Sequence, residues 1–280
     1  MKWQGRRGSS NIEDRRRSGG RGGLAAGGGG IGVLAIVVIG YFLGVDLTPI
    51  LGASGGGGIQ TGSYEPTEAD ERAAEFVSVT LADTEEVWAQ IFQQELGQTY
   101  TPAVLVLFKG ATQSGCGGAS AQTGPFYCPL DKKVYLDTDF FTTMERQLGA
   151  QGDFAAAYVV AHEIGHHVQD ELGILSEAQR GSQQGADSNA VRVELQADCF
   201  SGVWARYAQE RFGSLEQGDI EEALNAAQQI GDDTLQQESS GVVRPETFTH
   251  GTSEQRQRWF YAGYESGDIG QCDTFNTRQL

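Results

Sequence analysis

The sequence predicts an α+β protein that is mainly helical, contains a small β-sheet and carries one apolar segment near its N-terminus that is long enough to cross a membrane. Three observations support this. Two short apolar runs typical of strands stand early in the chain, stretches with helical spacing fill most of the remainder, and an uncharged run precedes both. The length of 280 residues suits one ordinary domain with a tail.

Charge is distributed unevenly along the chain. The formal net charge is −17, from 20 Lys and Arg against 37 Asp and Glu. The first 30 residues nevertheless hold seven basic and two acidic side chains, which leaves residues 31–280 with a net charge of −22. Because phosphate contacts need clustered Lys and Arg, this acidic balance argues against a nucleic-acid partner.

The uncharged run at residues 24–45 is 22 residues long. As a helix it would measure ~33 Å, which spans a hydrocarbon core of ~30 Å. The basic residues before it predict a cytoplasmic tail at 1–23, followed beyond the membrane by a Gly-rich linker at 46–65 and a domain at 66–280. We therefore expect a single-pass cell-membrane protein with an extracytoplasmic domain. A cleaved signal peptide, which would give a soluble secreted protein, is the alternative.

Within the domain, local patterns predict the elements in order. Strands are expected at 103–108 and 133–137, and Phe126 and Tyr127 are candidates to pair with the second strand. Asp83, with Glu86 three residues later, is expected to start the second piece of the first helix. The helical spacing predicts helices at about 67–96, 138–148, 153–172, 190–211, 215–230 and 253–264.

The chain has four cysteines, and all lie in the part predicted to be outside the cytoplasm, which is an oxidising setting. Four cysteines allow three connectivities. We favour Cys116–Cys128, which closes a Gly-rich excursion, and Cys199–Cys272, which would tie the C-terminal segment to a helix. A four-thiolate metal site is disfavoured because no CxxC pair exists, and a catalytic Cys199 beside Asp198 is a further alternative.

Three of the four histidines stand close together in AHEIGHHVQ, which contains the pattern H-E-x-x-H. Residues four apart share one face of a helix, so His162 and His166 can hold one ion through the imidazole nitrogens that Zn²⁺ accepts. Glu163 is roughly 100° round the helix from His162, where a base for a metal-bound water is needed. His167 points away. The alternative is a solvent-facing helix with incidental histidines.

A catalytic zinc site needs a third protein ligand. The candidate is Glu194, 28 residues after His166, with Asp198 four residues further on. If this second helix packs on the first, Asp198 can accept a hydrogen bond from the far nitrogen of His162 and orient that ring. Both acids could instead be surface residues of an acidic protein. Three further acids are less suitable as ligands. Asp170 and Glu171 lie on the same predicted helix as the histidines, and Asp187 lies in the loop that follows it.

Six stretches of the chain form a combination that is specific to one family. They are the opening MKWQGRRGSSNIEDRRR, the apolar segment, GPFYCPLDKKVYLDTDFF, AHEIGHHVQ, ELQADCFSGVWA and HGTSEQRQRWF. Together they resemble the bacterial membrane-anchored neutral zinc metallopeptidases over nearly the whole chain. The resemblance implies a zincin-like fold related to the gluzincins and one zinc ion per chain. By matching position, it implies His162, His166 and Glu194 as ligands and Glu163 as base.

We therefore expect a zinc metalloendopeptidase that hydrolyses peptide or protein substrates. Zinc lowers the pKa of its bound water toward ~7, and Glu163 would take the proton as the water attacks. His250 is the first candidate for the donor that stabilises the oxyanion, followed by Tyr127 and Tyr135. The strand at 133–137 is a candidate edge strand for an extended substrate.

Two other functions fit the same residues. A non-catalytic zinc-binding envelope scaffold is disfavoured by Glu163, since a structural site needs no base and usually has four protein ligands. A cell-wall amidase would use the same metal site on a different bond.

Overall fold

The computed structural model describes residues 1–17, 65–120, 123–147, 149 and 152–280. The predicted membrane segment at 24–45 and nearly all of the predicted linker lie outside these residues. Among the described residues, no helix is both long and apolar enough to cross a bilayer.

The mainly helical α+β prediction is confirmed by the elements of the described chain. The helices are α1 (Glu68–Ile91), α2 (Asp139–Gln147), α3 (Asp153–Glu171), α4 (Ile174–Ala178), α5 (Asn189–Phe212), α6 (Asp219–Gln229), α7 (Asp232–Ser240) and α8 (Ser253–Ser266). The strands are β1 (Ile12–Asp14), β2 (Val104–Phe108), β3 (Ala111–Ser114), β4 (Gly117–Ser120), β5 (Phe126–Cys128) and β6 (Lys133–Asp137). Shorter turns are the π-helical Phe92–Leu96 and the 3₁₀ turns Pro245–Thr247 and Ile269–Cys272.

The main sheet has the strand order β1-β2-β6-β5. The first three strands run parallel, and β5 pairs with β6 in the antiparallel sense, so the predicted pairing of Phe126 and Tyr127 is confirmed. Because β6 lies between β2 and β5, the prediction that it is an edge strand is wrong. β3 and β4 form a separate hairpin. Neither β1 nor this hairpin was predicted, since their sequences are polar or rich in Gly.

Residues 1–17, called the head below, pack against the domain. β1 of the head continues the sheet, with Ile12 paired to Leu105 of β2. The Trp3 ring meets the Phe76 ring edge-on, with centroids 5.5 Å apart. The predicted tail boundary at residue 23 lies outside the described residues, whereas residues 1–17 pack on the domain. The packing has two causes: the few apolar residues of the head contact the main core, and its arginines Arg6 and Arg16 pair with acids of the domain.

Helix α1 is continuous through the position where a second piece was predicted. Thr67 caps it, with Asp70 completing a capping box. Asp83 is not an N-cap: it is buried within the helix, and the Arg6 guanidinium of the head donates to its two oxygens at 2.7 and 2.6 Å. Asp83, which the sequence suggested as the start of a helix, is therefore the buried partner of an ion pair with Arg6.

Helix α3 is the centre of the core, with its apolar residues 154–161 buried against α1, α5 and α6. Helix α8 lies along α5. The predicted helix at 215–230 is shorter in the structure, as α6, and the polar helix α7 follows it unpredicted. Two disulfides, Cys116–Cys128 and Cys199–Cys272, are the pairs that the sequence analysis favours. The second joins α5 to the last 3₁₀ turn.

Candidate metal centre

The two histidines of the H-E-x-x-H pattern lie side by side on α3, where this helix meets α5. Gly165 stands between them, and a Cβ at Gly165 would come within 3.1 Å of the Ala197 carbonyl oxygen on α5. A side chain here would push the helices apart by a few tenths of an ångström, so glycine favours the close approach that brings the α5 acids within reach of the histidines. The rings of His162 and His166 have centroids 4.7 Å apart.

Three donor groups converge at this crossing. Glu194 Oε2 lies 3.1 Å from His162 Nε2, and Glu194 Oε1 lies 3.4 Å from His166 Nε2. Two ligands held ~2.0–2.1 Å from one zinc ion at a tetrahedral angle are about 3.3 Å apart. The spacing and the two-nitrogen, one-carboxylate donor set therefore fit a Zn²⁺ site with a fourth position open.

The Nδ1 atom of each histidine, which lies away from Glu194, contacts an acceptor. These contacts orient each ring so that its Nε2 faces Glu194. Asp198 Oδ1 lies 2.8 Å from His162 Nδ1, and Gln169 Oε1 lies 2.9 Å from His166 Nδ1. The Gln169 amide is oriented because its nitrogen donates to the Val193 carbonyl at 2.7 Å. In the neutral imidazoles that bind a metal, these bonds favour a proton on each Nδ1, so that each Nε2 has the lone pair that the metal needs.

Charges around the centre shift the pKa values of its side chains. Burial by itself would lower the pKa of His162, but the carboxylates of Asp198 and Glu194 outweigh it and raise the pKa to about 10. Burial would raise the pKa of Asp198, yet Arg256 and His162 lower it to about 2. At neutral pH a metal must therefore displace a proton from His162, while Asp198 stays ionised.

Glu163 is buried beside His162, with 8% of its surface exposed. No hydrogen bond or ion pair from the described residues engages its carboxylate, although every other acid of the centre is bonded. A buried carboxylate without a protein partner is suited to binding and deprotonating a water molecule.

His250 also reaches the centre, from the loop before α8. Its Nε2 lies 3.9 Å from Glu194 Oε2, and its Nδ1 lies 2.9 Å from the Thr249 hydroxyl. Asp232 holds this loop, because its Oδ2 accepts the backbone N–H groups of residues 249, 250 and 251 at 2.7–3.0 Å. The carboxylate also lies behind the imidazole, with 3.6 Å between Asp232 Oδ1 and His250 Nδ1.

The other candidates from the sequence are engaged elsewhere. The Tyr127 hydroxyl donates to Asp170 at 2.8 Å, and the Tyr135 hydroxyl donates to Asp131 at 2.6 Å. His167 turns away from the centre, with its Nε2 2.7 Å from the Thr101 carbonyl oxygen. Neither tyrosine hydroxyl is thus positioned as an oxyanion donor.

A family model described as "Putative neutral zinc metallopeptidase" matches residues 1–275. The chain belongs to this family. Membership implies zinc as the metal and a hydrolase that acts on peptides or proteins. The match includes the head, in agreement with its place in the fold.

The chain is also similar to two bacterial proteins of uncharacterized activity. The uncharacterized protein YpfJ of Escherichia coli (strain K12) is 50% identical over 287 residues, which cover 98% of this chain and 99% of the relative. The uncharacterized protein Rv2575 of Mycobacterium tuberculosis is 52% identical over 191 residues, or 65% of each chain. No solved structure matches the chain significantly.

Four residues of the centre were missed by the sequence analysis: Tyr158, Gln169, Asp232 and Arg256. A signal existed for Arg256, which occupies a core-facing position four residues before Phe260 on α8. A charged side chain at a buried helical position is rare without a partner. Asp232 gave no such signal, because it stands at the start of a short polar helix.

Proposed function

We propose that this protein is a zinc-dependent metallopeptidase of the HExxH, gluzincin-like type, with one zinc ion per chain. The observation that carries the proposal is the convergence of His162, His166 and Glu194 beside the Glu163 carboxylate, which has no hydrogen-bond partner among the described residues. A purely structural zinc site would offer four protein ligands and no base. Family membership supports the zinc peptidase chemistry in its coarser form.

The residues around the centre can take different roles in hydrolysis. When bound, zinc supplies Lewis acidity, which acidifies a water molecule and polarises the substrate carbonyl. Glu163 accepts the proton of the attacking water and delivers it to the leaving nitrogen. His250 Nε2 faces the same space, and the Thr249 hydroxyl can donate to Nδ1, which leaves a proton on Nε2 for the developing oxyanion.

The purified chain is expected to cleave casein and quenched fluorescent peptides, to lose this activity with a chelator, and to regain it with one equivalent of zinc. The readout is cleavage rate against zinc added per chain. Bound zinc without cleavage of any peptide would contradict the proposal and favour a scaffold. Release of peptidoglycan fragments, with casein and peptides left intact, would favour an amidase.

Replacing His250 with Phe is expected to lower kcat about 10²–10³-fold with little change in KM. The substitution removes the N–H that faces the oxyanion but keeps a planar ring, and His250 is not among the converging ligands. The measurements are steady-state kinetics and zinc content. His250→Gln, which retains an N–H, is measured alongside as the comparison variant. An unchanged kcat would remove His250 from the mechanism, and loss of zinc would make it a ligand.

We infer further that the head and the domain share one compartment, outside the cytoplasm, where both disulfides are stable. Within the head, the Arg17 guanidinium lies 3.9 Å from the Glu65 carboxylate, which precedes α1. A single crossing by residues 24–45 would put Arg17 and Glu65 about 30 Å apart or more, on opposite faces of the membrane. The packing of the head on the domain thus supports a shared compartment over the predicted single crossing.

Cysteine labelling in intact cells tests the shared compartment. All four native cysteines are in disulfides, so the unmodified chain gives the background. Ser10→Cys in the head and Ser240→Cys in the domain, both exposed, are expected to react equally with a membrane-impermeant maleimide. If Ser10→Cys reacts only after permeabilisation while Ser240→Cys reacts in intact cells, the head lies in the cytoplasm and the inference is wrong.

A further inference from the structure

Arg256 is a buried cation directly behind the metal centre. The residue is 2% exposed, and its helix α8 presents it together with Phe260 toward the core. Its Nε donates to Asp198 Oδ2 at 2.8 Å, and its Nη2 donates to Asp198 Oδ1 at 2.9 Å. Such a paired fork fixes both the position and the plane of a carboxylate.

Asp198 is fully buried and depends on Arg256 for its orientation. Its Oδ1 has three neighbours: the Tyr158 hydroxyl at 2.5 Å, His162 Nδ1 at 2.8 Å and Arg256 Nη2. Within the described residues, Arg256 alone bonds its Oδ2. Without Arg256 the carboxylate would lose the guanidinium charge and would keep only the Tyr158 and His162 contacts, both on Oδ1, so it would rotate more freely about its Cβ–Cγ bond.

The backbones of α5 and α8 hold these two side chains together. A Cβ at Gly263 would lie 2.0 Å from the Cys199 carbonyl oxygen, and a Cβ at Gly202 would lie 2.0 Å from the Phe260 carbonyl oxygen. The helices therefore touch backbone to backbone within one turn or two of the Arg256–Asp198 pair, at residues that follow Asp198 on α5 and Arg256 on α8. The disulfide at Cys199 is next to Asp198 in the chain. This rigid contact leaves little freedom for the pair to separate.

We propose that Arg256 is a positioning residue for the zinc site, acting through Asp198 on His162. It holds Asp198 in the plane in which Oδ1 accepts the His162 Nδ1 proton, so that His162 Nε2 faces Glu194. The inference rests on the proposed zinc site but adds a residue that touches neither metal nor substrate. A core ion pair of purely structural value would stabilise the fold without changing zinc affinity, and this difference makes the two roles separable.

The test is Arg256→Lys, which keeps the charge and removes the two-pronged bond, compared with Arg258→Lys at an exposed position of the same helix. Zinc affinity is measured by competition with a chromophoric chelator, and melting temperature with and without zinc. Arg256→Lys should weaken zinc binding ~10–100-fold and shrink the zinc-induced rise in Tm, with Arg258→Lys unchanged. A folded Arg256→Lys protein with unaltered zinc affinity and an unaltered rise would overturn the proposal.

If the Arg256→Lys protein does not fold, a second pair of variants tests the same proposal. Asp198→Asn is compared with the double variant Asp198→Asn/Arg256→Gln, which removes both charges of the pair and leaves no uncompensated ion. If Arg256 acts only through Asp198, both proteins bind zinc within about twofold of each other. A further large loss in the double variant would refute that route. Wild-type protein that binds zinc but cleaves no peptide would refute the proposed peptidase function while leaving this inference standing.

Discussion

Replacing Glu163 with Gln is expected to lower kcat/KM for peptide hydrolysis by ~10²–10⁴-fold while zinc stays bound. Gln has the same shape but cannot accept the proton of the attacking water. Glu163 bonds to none of the metal-ligating side chains in the described structure, so the geometry of His162, His166 and Glu194 should persist. Metal analysis and steady-state kinetics on the same preparation give both quantities.

Glu171→Gln is the matched control for this variant. Glu171 ends the same helix, and its carboxylate bonds the exposed Lys132 at 2.8 Å, away from the ligand face. Its replacement should leave both zinc content and kcat/KM unchanged. Full activity in Glu163→Gln would mean that another group is the base, whereas loss of zinc would place Glu163 among the ligands.

Replacing Glu194 with Ala is expected to reduce zinc affinity by more than the ~10–100-fold that loss of an outer hydrogen-bond partner costs. Glu194 is the only carboxylate that approaches both His162 Nε2 and His166 Nε2 within the described chain. Without it, two neutral imidazoles remain, which are too few ligands for a stable zinc site. Activity at one equivalent of zinc should then be lost. Equilibrium dialysis against buffered zinc measures the change.

Glu210→Ala on the same helix is the control for Glu194→Ala. Glu210 is exposed and, in the described part of the chain, its ion pair is with Arg206 one turn away, an interaction of about 0.5 kcal/mol or less. Its loss should leave zinc affinity and the circular dichroism spectrum unchanged. If Glu194→Ala retains wild-type zinc content, the third ligand lies elsewhere in the chain.

The fold could be predicted from the sequence wherever a local pattern decides the structure. β2 and β6 are short apolar runs, α3 has a long apolar helical stretch, and α5 combines long helical spacing with a Ser188 cap, so their predicted bounds agree within a residue or two. Elements whose pattern is weak were missed or misplaced. β1 is a strand only because it pairs with β2, whose residues lie about 90 positions later.

The basic residues of the head show how a correct count can lead to an incomplete interpretation. The excess of positive charge was evident, and a cytoplasmic tail explains it in terms of membrane topology. The structure offers another partner for the same charge. Arg6 bonds Asp83 of α1. Arg16 bonds Asp14 of its own segment and, farther along the chain, Glu71 of α1. Pairing across such distances in the chain leaves no periodic trace that sequence analysis could detect.

The sequence by itself determined the chemistry of each helix face. Hydrogen bonding between neighbouring residues fixes 3.6 residues per turn, so His162 with His166, and Glu194 with Asp198, must each share a face wherever their helices lie. Only the tertiary structure decided that these two faces meet and that His250 and Arg256 join them. That meeting depends on close contacts such as Gly165 against Ala197, between residues that are remote in the chain and have no local spacing in common.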